Sequence, residues 1–432
     1  MKYLFVKILF VFLLVSWPVA LRGESDIIID IIEPGTAKIK IGIPPIVLDP
    51  GTRLQTTANA AAEFAQVLRD DLDFTGIFEV YPSPPINVRV SQGEFVPLKS
   101  WVPLDVQAAF QGRCKETGGA VAFECELYDV ESESRIVGKS YKGTTRDVRT
   151  IAHAFSDEIV YRYTGKPGIA HTSIAYTREK GGSKEIHIMN YDGHGSYQLT
   201  YDKSIALSPS WSPDGTKIVF TSYRDHNPDV YLIDLKARSS KRISAYVGLN
   251  TTPVFSPDGK TVALTLSKDG NPELYLLALK DGSLTRLTRN SAADTSPSWS
   301  PNGREIAFVS DRSGSPQVYI VDREGVYVRR LTYSGSYNTS PDWSPQGDRI
   351  AYVSMVNGKP DIFTIGPTGA DARRITTNGG NEDPVWSPDG KYIAFSGKRN
   401  GVRDIYLMRA DGSGIKQVTF GGGDHMSPAW SS

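Results

Sequence analysis

From residue 173 onward, apolar and polar positions alternate in short runs, and the runs recur. "KIVFTS" (217–222), "DVYLID" (229–234) and "KRIS" (241–244) read as three strands of period two separated by turn residues. An octapeptide, "SPSWSPDG" (208–215), leads into them and returns as "TPVFSPDG" (252–259), "SPSWSPNG" (296–303), "SPDWSPQG" (340–347) and "DPVWSPDG" (383–390), with "SPAWSS" at 427–432. Its aromatic positions are Trp211, Phe255, Trp299, Trp343, Trp386 and Trp430, spaced 44, 44, 44, 43 and 44 residues apart. A second landmark, the triplets ending at Thr200, Ser244, Thr288, Thr332, Thr376 and Thr419, keeps the same phase. Four short strands in every ~44 residues is the pattern of a β-propeller blade, so the repeat predicts an all-β, six-bladed propeller over 166–432.

The repeat also predicts strand order. Pro209, Pro253, Pro297, Pro341, Pro384 and Pro428 each fall in the strand that leads to the aromatic. Proline cannot donate to a β-ladder, which places that strand on an edge, the innermost one, with its aromatic wedged between blades. "SPDG" then forms a tight turn, proline first and glycine last. Because "SIAYTR" (173–178) opens the repeat with outer strands and Ser427–Trp430 closes it with an inner one, the last strand is expected to complete the first blade.

Residues 24–165 lack the repeat and read as a separate α/β domain. Strands are expected at 26–32, 38–43, 106–114, 120–130 and 135–143. Ala60, Phe64, Val67, Leu68 and Leu72 recur at helical spacing, as do Val148, Ile151, Phe155, Ile159 and Tyr163. "TGKPG" (164–168) is the expected linker. Residues 1–23 carry Lys2 and Lys7 ahead of the short apolar run "ILFVFLLV" (8–15), with Ala20 and Gly23 as candidate cleavage positions: a secretory signal, too short to span a membrane.

Charge and chemistry narrow the function. Lys and Arg number 48 and so do Asp and Glu, a balance that gives no footing for nucleic acid. No nucleophile elbow, H-E-x-x-H or phosphate loop occurs, and the six histidines lie apart, so no enzyme activity, metal or cofactor is expected. Asp214, Asp258 and Asp389 of "SPDG" are read as turn residues, since Asn302 and Gln346 replace them in two copies. Cys114 and Cys125 flank a hairpin turn at 115–119. With that turn centred on 117–118 the residue opposite Cys125 is 110 or 111, so both cysteines are expected free. Arg242, Arg286, Arg330, Arg374 and Lys416 read as outer-edge charges that keep the blades soluble.

The positions where the chain enters each inner strand are the candidate binding residues. Three before the proline stand Ala206, Asn250, Asp294, Asn338, Asn381 and His425. Two before it stand Leu207, Thr251, Thr295, Thr339, Glu382 and Met426. They are expected to ring one mouth of the channel, with Leu207 and Met426 forming an apolar sector for a protein partner. Asn and Asp also cap local turns before proline, and both roles are compatible.

With "IGIPPI" (41–46), "LRDDLDFTGIFEV" (68–80) and "AHAFSDEIVYRYTGKPGIAHTSIAY" (152–176) in that order, followed by the "SPxWSPDG" blades, the chain resembles the TolB family of the Tol–Pal system. The resemblance implies a non-enzymatic periplasmic protein that supports outer-membrane integrity and cell division. Its implied partners are the lipoprotein Pal at one propeller mouth, TolA at the mature N-terminus, and colicins and other envelope proteins. Thr295 matches a family position associated with Pal contact, while Leu249 and Thr252 stand where enterobacterial members have His and Ala. The TolA segment corresponds by position to Glu24, Ser25, Asp26, Ile27, Ile28, Ile29, Asp30, Ile31, Ile32 and Glu33. The competing reading is a periplasmic propeller that holds a small ligand or peptidoglycan fragment in its channel. Small residues and prolines along the inner strands, rather than aromatics, weigh against it.

Overall fold

The computed structural model describes residues 37–50, 55–84, 88 and 93–432. The expected signal at 1–23, the strand expected at 26–32 and the segment 24–33 lie outside the described residues. In the N-terminal domain, strands β1 (Ile39–Gly42), β2 (Val47–Leu48), β3 (Phe78–Tyr81), β4 (Ala108–Thr117), β5 (Ala120–Asp129) and β6 (Arg135–Gly143) form one sheet in the order β3-β1-β4-β5-β6, with β2 beside β4. Helices α1 (Gln55–Thr75) and α2 (Val148–Thr164) cover one face. Phe64 of α1 and Phe155 of α2 meet Phe110 and Phe123, which alternate inward along β4 and β5. Across the sheet, Trp101 lies flat against Gly42, where a Cβ would approach the indole to 2.9 Å. β2, β3 and a short 3₁₀ turn (Leu98–Leu104) have no periodic signal in the sequence and depend on these contacts.

The β4–β5 hairpin turns at Gly118–Gly119, one residue later than the sequence expectation, so Gly112 faces Cys125 and Phe123 faces Cys114. Both thiols are free and buried in the helix-facing core. Burial raises both pKa values, that of Cys114 to about 11.

Residues 173–430 form six four-stranded blades. Blades one to five begin with inner strands Ala206–Trp211, Asn250–Phe255, Asp294–Trp299, Asn338–Trp343 and Asn381–Trp386. Blade six takes Ser173–Lys180, Ser183–Asn190 and Tyr197–Gln198 from the start of the repeat and its inner strand, Asp424–Trp430, from the end. The ring therefore closes by pairing across about 250 residues. The Trp430 indole N–H adds a 2.8 Å bond to the Thr172 hydroxyl.

Every inner strand breaks register at the residue before its proline, a β-bulge that the sequence pattern did not reveal. Ser208, Thr252, Ser296, Ser340, Asp383 and Ser427 all adopt φ near +50° there. The bulge leaves that pair of residues out of the ladder, where proline's missing N–H costs no bond. The "SPDG" aspartates act as turn residues: Asp214 accepts from the Ser212 hydroxyl (2.6 Å) and the Thr216 N–H (3.0 Å), and Asn302 does the same with Ser300 and Arg304.

The threonine landmark has a mechanical cause. Thr288, Thr332, Thr376 and Thr419 each donate to a buried acid or amide near the start of the third strand: Glu273, Gln317, Asp361 and Asp404, at 2.5 to 2.9 Å. Each hydroxyl also accepts a backbone N–H from the next residue of that strand. The recurrent arginines complete these networks instead of merely solubilising an edge. Arg242 reaches Asp229 (3.1 Å), Arg286 reaches Glu273 (3.1 Å) and Arg374 reaches Asp361 (2.5 Å), since a buried carboxylate requires a cation or several donors. In blade five it is Gln417, not Lys416, that holds the equivalent position, donating to Asp404.

Candidate functional site

Two ends of the ring differ in what they offer. The end where the inner strands begin is reached through the loops 201–205, 245–249, 289–293, 333–337, 377–380 and 420–423. The residues three before each proline stand here, but they point inward. Asn250, Asp294, Asn338 and Asn381 are fully buried and His425 nearly so. Asn381 donates to Asp361 and Asn338 to Gln317, both at 2.8 Å, so each joins the threonine network of the preceding blade. His425 takes the same position with Asp404 at 2.8 Å, and burial lowers its pKa. Asn250 accepts from Ser244 and from the Tyr246 N–H. Asp294 is held by Arg312 (2.7 Å) and Asn290 (2.6 Å). These five side chains bond to protein partners rather than to solvent, although one buried oxygen each of Asp294 and Asn338 is left without a hydrogen bond.

The second position is more open. Thr251, Thr295, Thr339 and Leu207 are half-buried at the strand starts, and Glu382, also half-buried, pairs with Arg403 at 2.6 Å. Met426 is buried, so it and Leu207 do not make the exposed apolar sector expected from their spacing. Thr252 turns into the channel, its hydroxyl 2.9 Å from that of Thr265, and Leu249 lies exposed on its loop.

What the sequence reading missed is the aromatic content of the loops. Tyr201, Tyr333 and Phe420 are 71%, 74% and 71% exposed, and Tyr246, Tyr337 and Val247 are exposed beside them. Cations stand over some of these rings: Arg330 lies 5.0 Å from Tyr333 and Lys268 lies 5.7 Å from Tyr246. The signal was present, since Tyr201, Tyr333 and Phe420 each directly follow the repeat's threonine. Five of the seven exposed aromatics described in the propeller stand at this end, Tyr197 and Tyr327 at the other, and such a cluster on a rigid ring is the composition of a protein-binding surface.

The channel behind this mouth has a volume of about 400 Å³. Serines and prolines line it, with Asp342 and Asp383 as the charged side chains. Asp342 accepts from the Trp386 N–H at 2.8 Å, yet its removal from bulk water pushes the carboxyl up to about 7. Among the described residues no group of three or more His, Cys, Asp or Glu is placed to hold a metal ion, and no helix is long and apolar enough to cross a membrane.

The opposite end carries the N-terminal domain, docked on blades five and six. Asp71 of α1 accepts from the Tyr191 hydroxyl (2.6 Å) and faces the His153 imidazole of α2 (2.8 Å). The other nitrogen of His153 stands 3.4 Å from Asp192, which Arg149 also grips. Burial opposes charge on His153, but its bonds to Asp192 and Asp71 outweigh that and hold its pKa up at about 9. Asp192 is held well below the usual carboxylate range against its burial, by His153, the His194 N–H and Arg149. Beside this cluster Phe74 stacks on Tyr392 at 4.7 Å.

Comparison with known proteins gives this architecture relatives. Residues 160–431 match the family profile described as "TolB beta propeller domain", and residues 27–136 match "TolB amino-terminal domain". The chain is similar to the Tol-Pal system protein TolB of Geobacter metallireducens, 42% identical over 162 residues, 37% of each chain. It is similar also to that of Desulfosudis oleivorans, 36% identical over 208 residues, 47% of each. These matches span less than half the length of the curated relatives. Over most of its length the fold superposes on the crystal structure of TolB from Acinetobacter baumannii, with a TM-score of 0.79, 27% identity, and coverage of 92% of this chain and 97% of that one. With both domains matched in order and the propeller profile covering more than half of the sequence, the chain belongs to the TolB family.

Proposed function

We propose that this chain is a non-catalytic periplasmic component of a Tol–Pal system, which docks the lipoprotein Pal on the aromatic-rich mouth of the propeller and engages TolA through residues 24–33. The observation that carries the Pal reading is the set of exposed rings Tyr201, Tyr246, Tyr333, Tyr337 and Phe420 at the end of the ring left open by the N-terminal domain. The relatives' name, Tol-Pal system protein TolB, supports the system. In this reading the half-buried Thr251, Thr295, Thr339 and Glu382 supply polar contacts inside the aromatic rim, while Asn250, Asp294, Asn338, Asn381 and His425 hold the loops in place. The N-terminal contact follows the strand-addition mode, in which an extended segment joins a partner's sheet edge. Support for outer-membrane integrity and cell division follows from bridging these partners.

A pull-down from envelope extract with the whole mature chain tests this. Pal recovered by the intact protein and lost from a Tyr333→Ala, Phe420→Ala variant, together with TolA lost on trimming residues 24–33, is the expected result. Retention of both partners by those variants overturns the assignment. The second reading, a small ligand in the channel, is favoured by Asp342 and Asp383 among the lining hydroxyls. Recovery of a peptidoglycan fragment without either protein would establish it.

A further inference from the structure

The mouth is built unevenly. In every blade six residues lie between the last common pair of the second and third strands, as in Ser222–Asp229 of blade one and Gly397–Asp404 of blade five. In blades one to three these residues fold into a turn, closed by the N–H groups of His226, Gly270 and Gly314 on the carbonyls three residues earlier. In blades four to six they carry the ladder two residue pairs further, about 7 Å along the strands. These extensions end in the two-residue turns Asn357-Gly358, Asn400-Gly401 and Gly181-Gly182, with positive φ at both positions. Asparagine and glycine adopt that conformation readily, and it matches the twist of the flanking strands. Three adjacent hairpins therefore line one half of the mouth and three folded turns the other.

Charge divides the same way. The folded turns hold Arg224, Lys268 and Arg312 against Asp225, Asp269 and Asp311. Each of those cations is paired, with Asp202 (3.1 Å), Asp269 (2.9 Å) and Asp294 (2.7 Å) respectively. The hairpin segments 355–360, 398–403 and 179–184 hold Lys359, Lys398, Arg399, Arg403, Lys180 and Lys184 against Glu179 alone. Glu179 pairs with Lys184 at 3.2 Å, and Glu382 holds Arg403 in place at the foot of the blade-five hairpin. Asp424, which opens the closing strand, accepts the Arg403 backbone N–H at 3.0 Å, and Arg399 donates to the Asn381 amide oxygen at 2.6 Å. Lys180, Lys359 and Lys398 are exposed and form no ion pair among the described residues. Apolar side chains stand among these charges: Phe420 on the loop joining blades five and six, and Val402 on the blade-five hairpin.

We infer that the protein docked at the mouth presents an acidic surface to blades four to six, so that the hairpins fix which way it faces over the ring. The inference rests on the mouth being the Pal site. Interfaces match opposite potentials, and rim charges act chiefly on the rate and orientation of encounter. The partner's carboxylates meet Lys180, Lys359 and Lys398 while its apolar surface covers Phe420. The half of the mouth formed by blades one to three, with its cations already paired, gives no such preference.

The test is the association rate of the whole mature chain with immobilised, detergent-purified Pal, measured in ~0.1 M salt, where charges act over about 10 Å. Lys180→Glu with Lys398→Glu should slow association at least about fivefold, and the difference should shrink in ~0.5 M salt. Lys180→Gln with Lys398→Gln should slow it less, in the same direction. His226→Asp with Ser313→Asp makes the same change in net charge on the opposite half, with histidine neutral, and should alter the rate less than about twofold. All four side chains are exposed, so the melting temperatures of these variants should match that of the native chain. Equal slowing by the His226 and Ser313 pair would reduce the effect to net charge and overturn the inference. Native rates in both lysine variants, with capture still lost in Tyr333→Ala, Phe420→Ala, overturn it while the Pal reading stands. A native chain that captures no Pal overturns both.

Discussion

His153 and Asp71 lie 82 residues apart in the chain, yet their side chains meet at 2.8 Å in the buried seam between the two domains. On the far side of the imidazole stands Asp192 of the propeller, so one cation is held between carboxylates from both domains. Tyr191 and Arg149 complete the cluster. Domain docking here is electrostatic as well as apolar.

That arrangement predicts alkaline weakening. The folded pKa of His153, about 9, is raised above its ordinary value of 6.5, so its contribution is fully present below about 6.5 and is lost as pH rises through 9. Calorimetry at pH 7, 8.5 and 10 should show the transition falling with pH in the native chain, by on the order of 2–3 kcal/mol in total. His153→Ala should start lower and flatten this part of the profile. Parallel profiles for the two proteins would contradict it.

Ring closure predicts that blade six is the cooperative weak point. Trp430 is buried against blade five, with its N–H on Thr172, and Trp430→Ala should cost roughly 3–5 kcal/mol in urea unfolding. Deleting residues 425–432 removes the inner strand outright and should unfold the ring. An unchanged melting transition in the truncated chain would refute closure by this strand.

Asp294 and Glu382 should separate stability from binding. Asp294→Lys places a second cation beside Arg312 in a fully buried site and should destabilise by roughly 3–5 kcal/mol, with any loss of Pal capture following from unfolding. Glu382 is half-exposed and paired with Arg403, so Glu382→Lys should leave the melting temperature within a few degrees while weakening capture. Equal melting temperatures for the two variants would contradict this division.

Asp342 predicts a pH effect of the opposite kind. Its pKa is raised from 3.8 to about 7, so its ionised form is penalised in the folded state and stability falls as pH climbs across that interval. Asp342→Asn keeps an acceptor for the Trp386 N–H without the charge, and should raise the melting temperature at pH 8 while leaving it nearly unchanged at pH 4. A lower melting temperature at pH 8 would show that the charge is compensated.

Much of the architecture was legible in one dimension because its causes are local and repeated. The bulged strand accommodates proline, the turn takes an acid or amide before glycine, and the outer strand ends on a threonine or serine hydroxyl; each feature recurs every ~44 residues. The helices of the N-terminal domain and its hairpin strands were readable from period alone. Direction was not. Periodicity located Asn250, Asp294 and Asn381 at the mouth, but whether they face solvent or the interior depends on Ser244, Arg312 and Asp361, which no spacing announces.

What the sequence determined by itself, then, is the ring: its blade count, its inner strand and the strand that closes it, all consequences of backbone geometry repeated along the chain. The tertiary structure alone decided which polar groups are occupied and which aromatics are left exposed. Those outcomes depend on contacts between distant segments. The His153 cation is one such outcome: it has meaning only once Asp71 and Asp192 have been folded to either side of it.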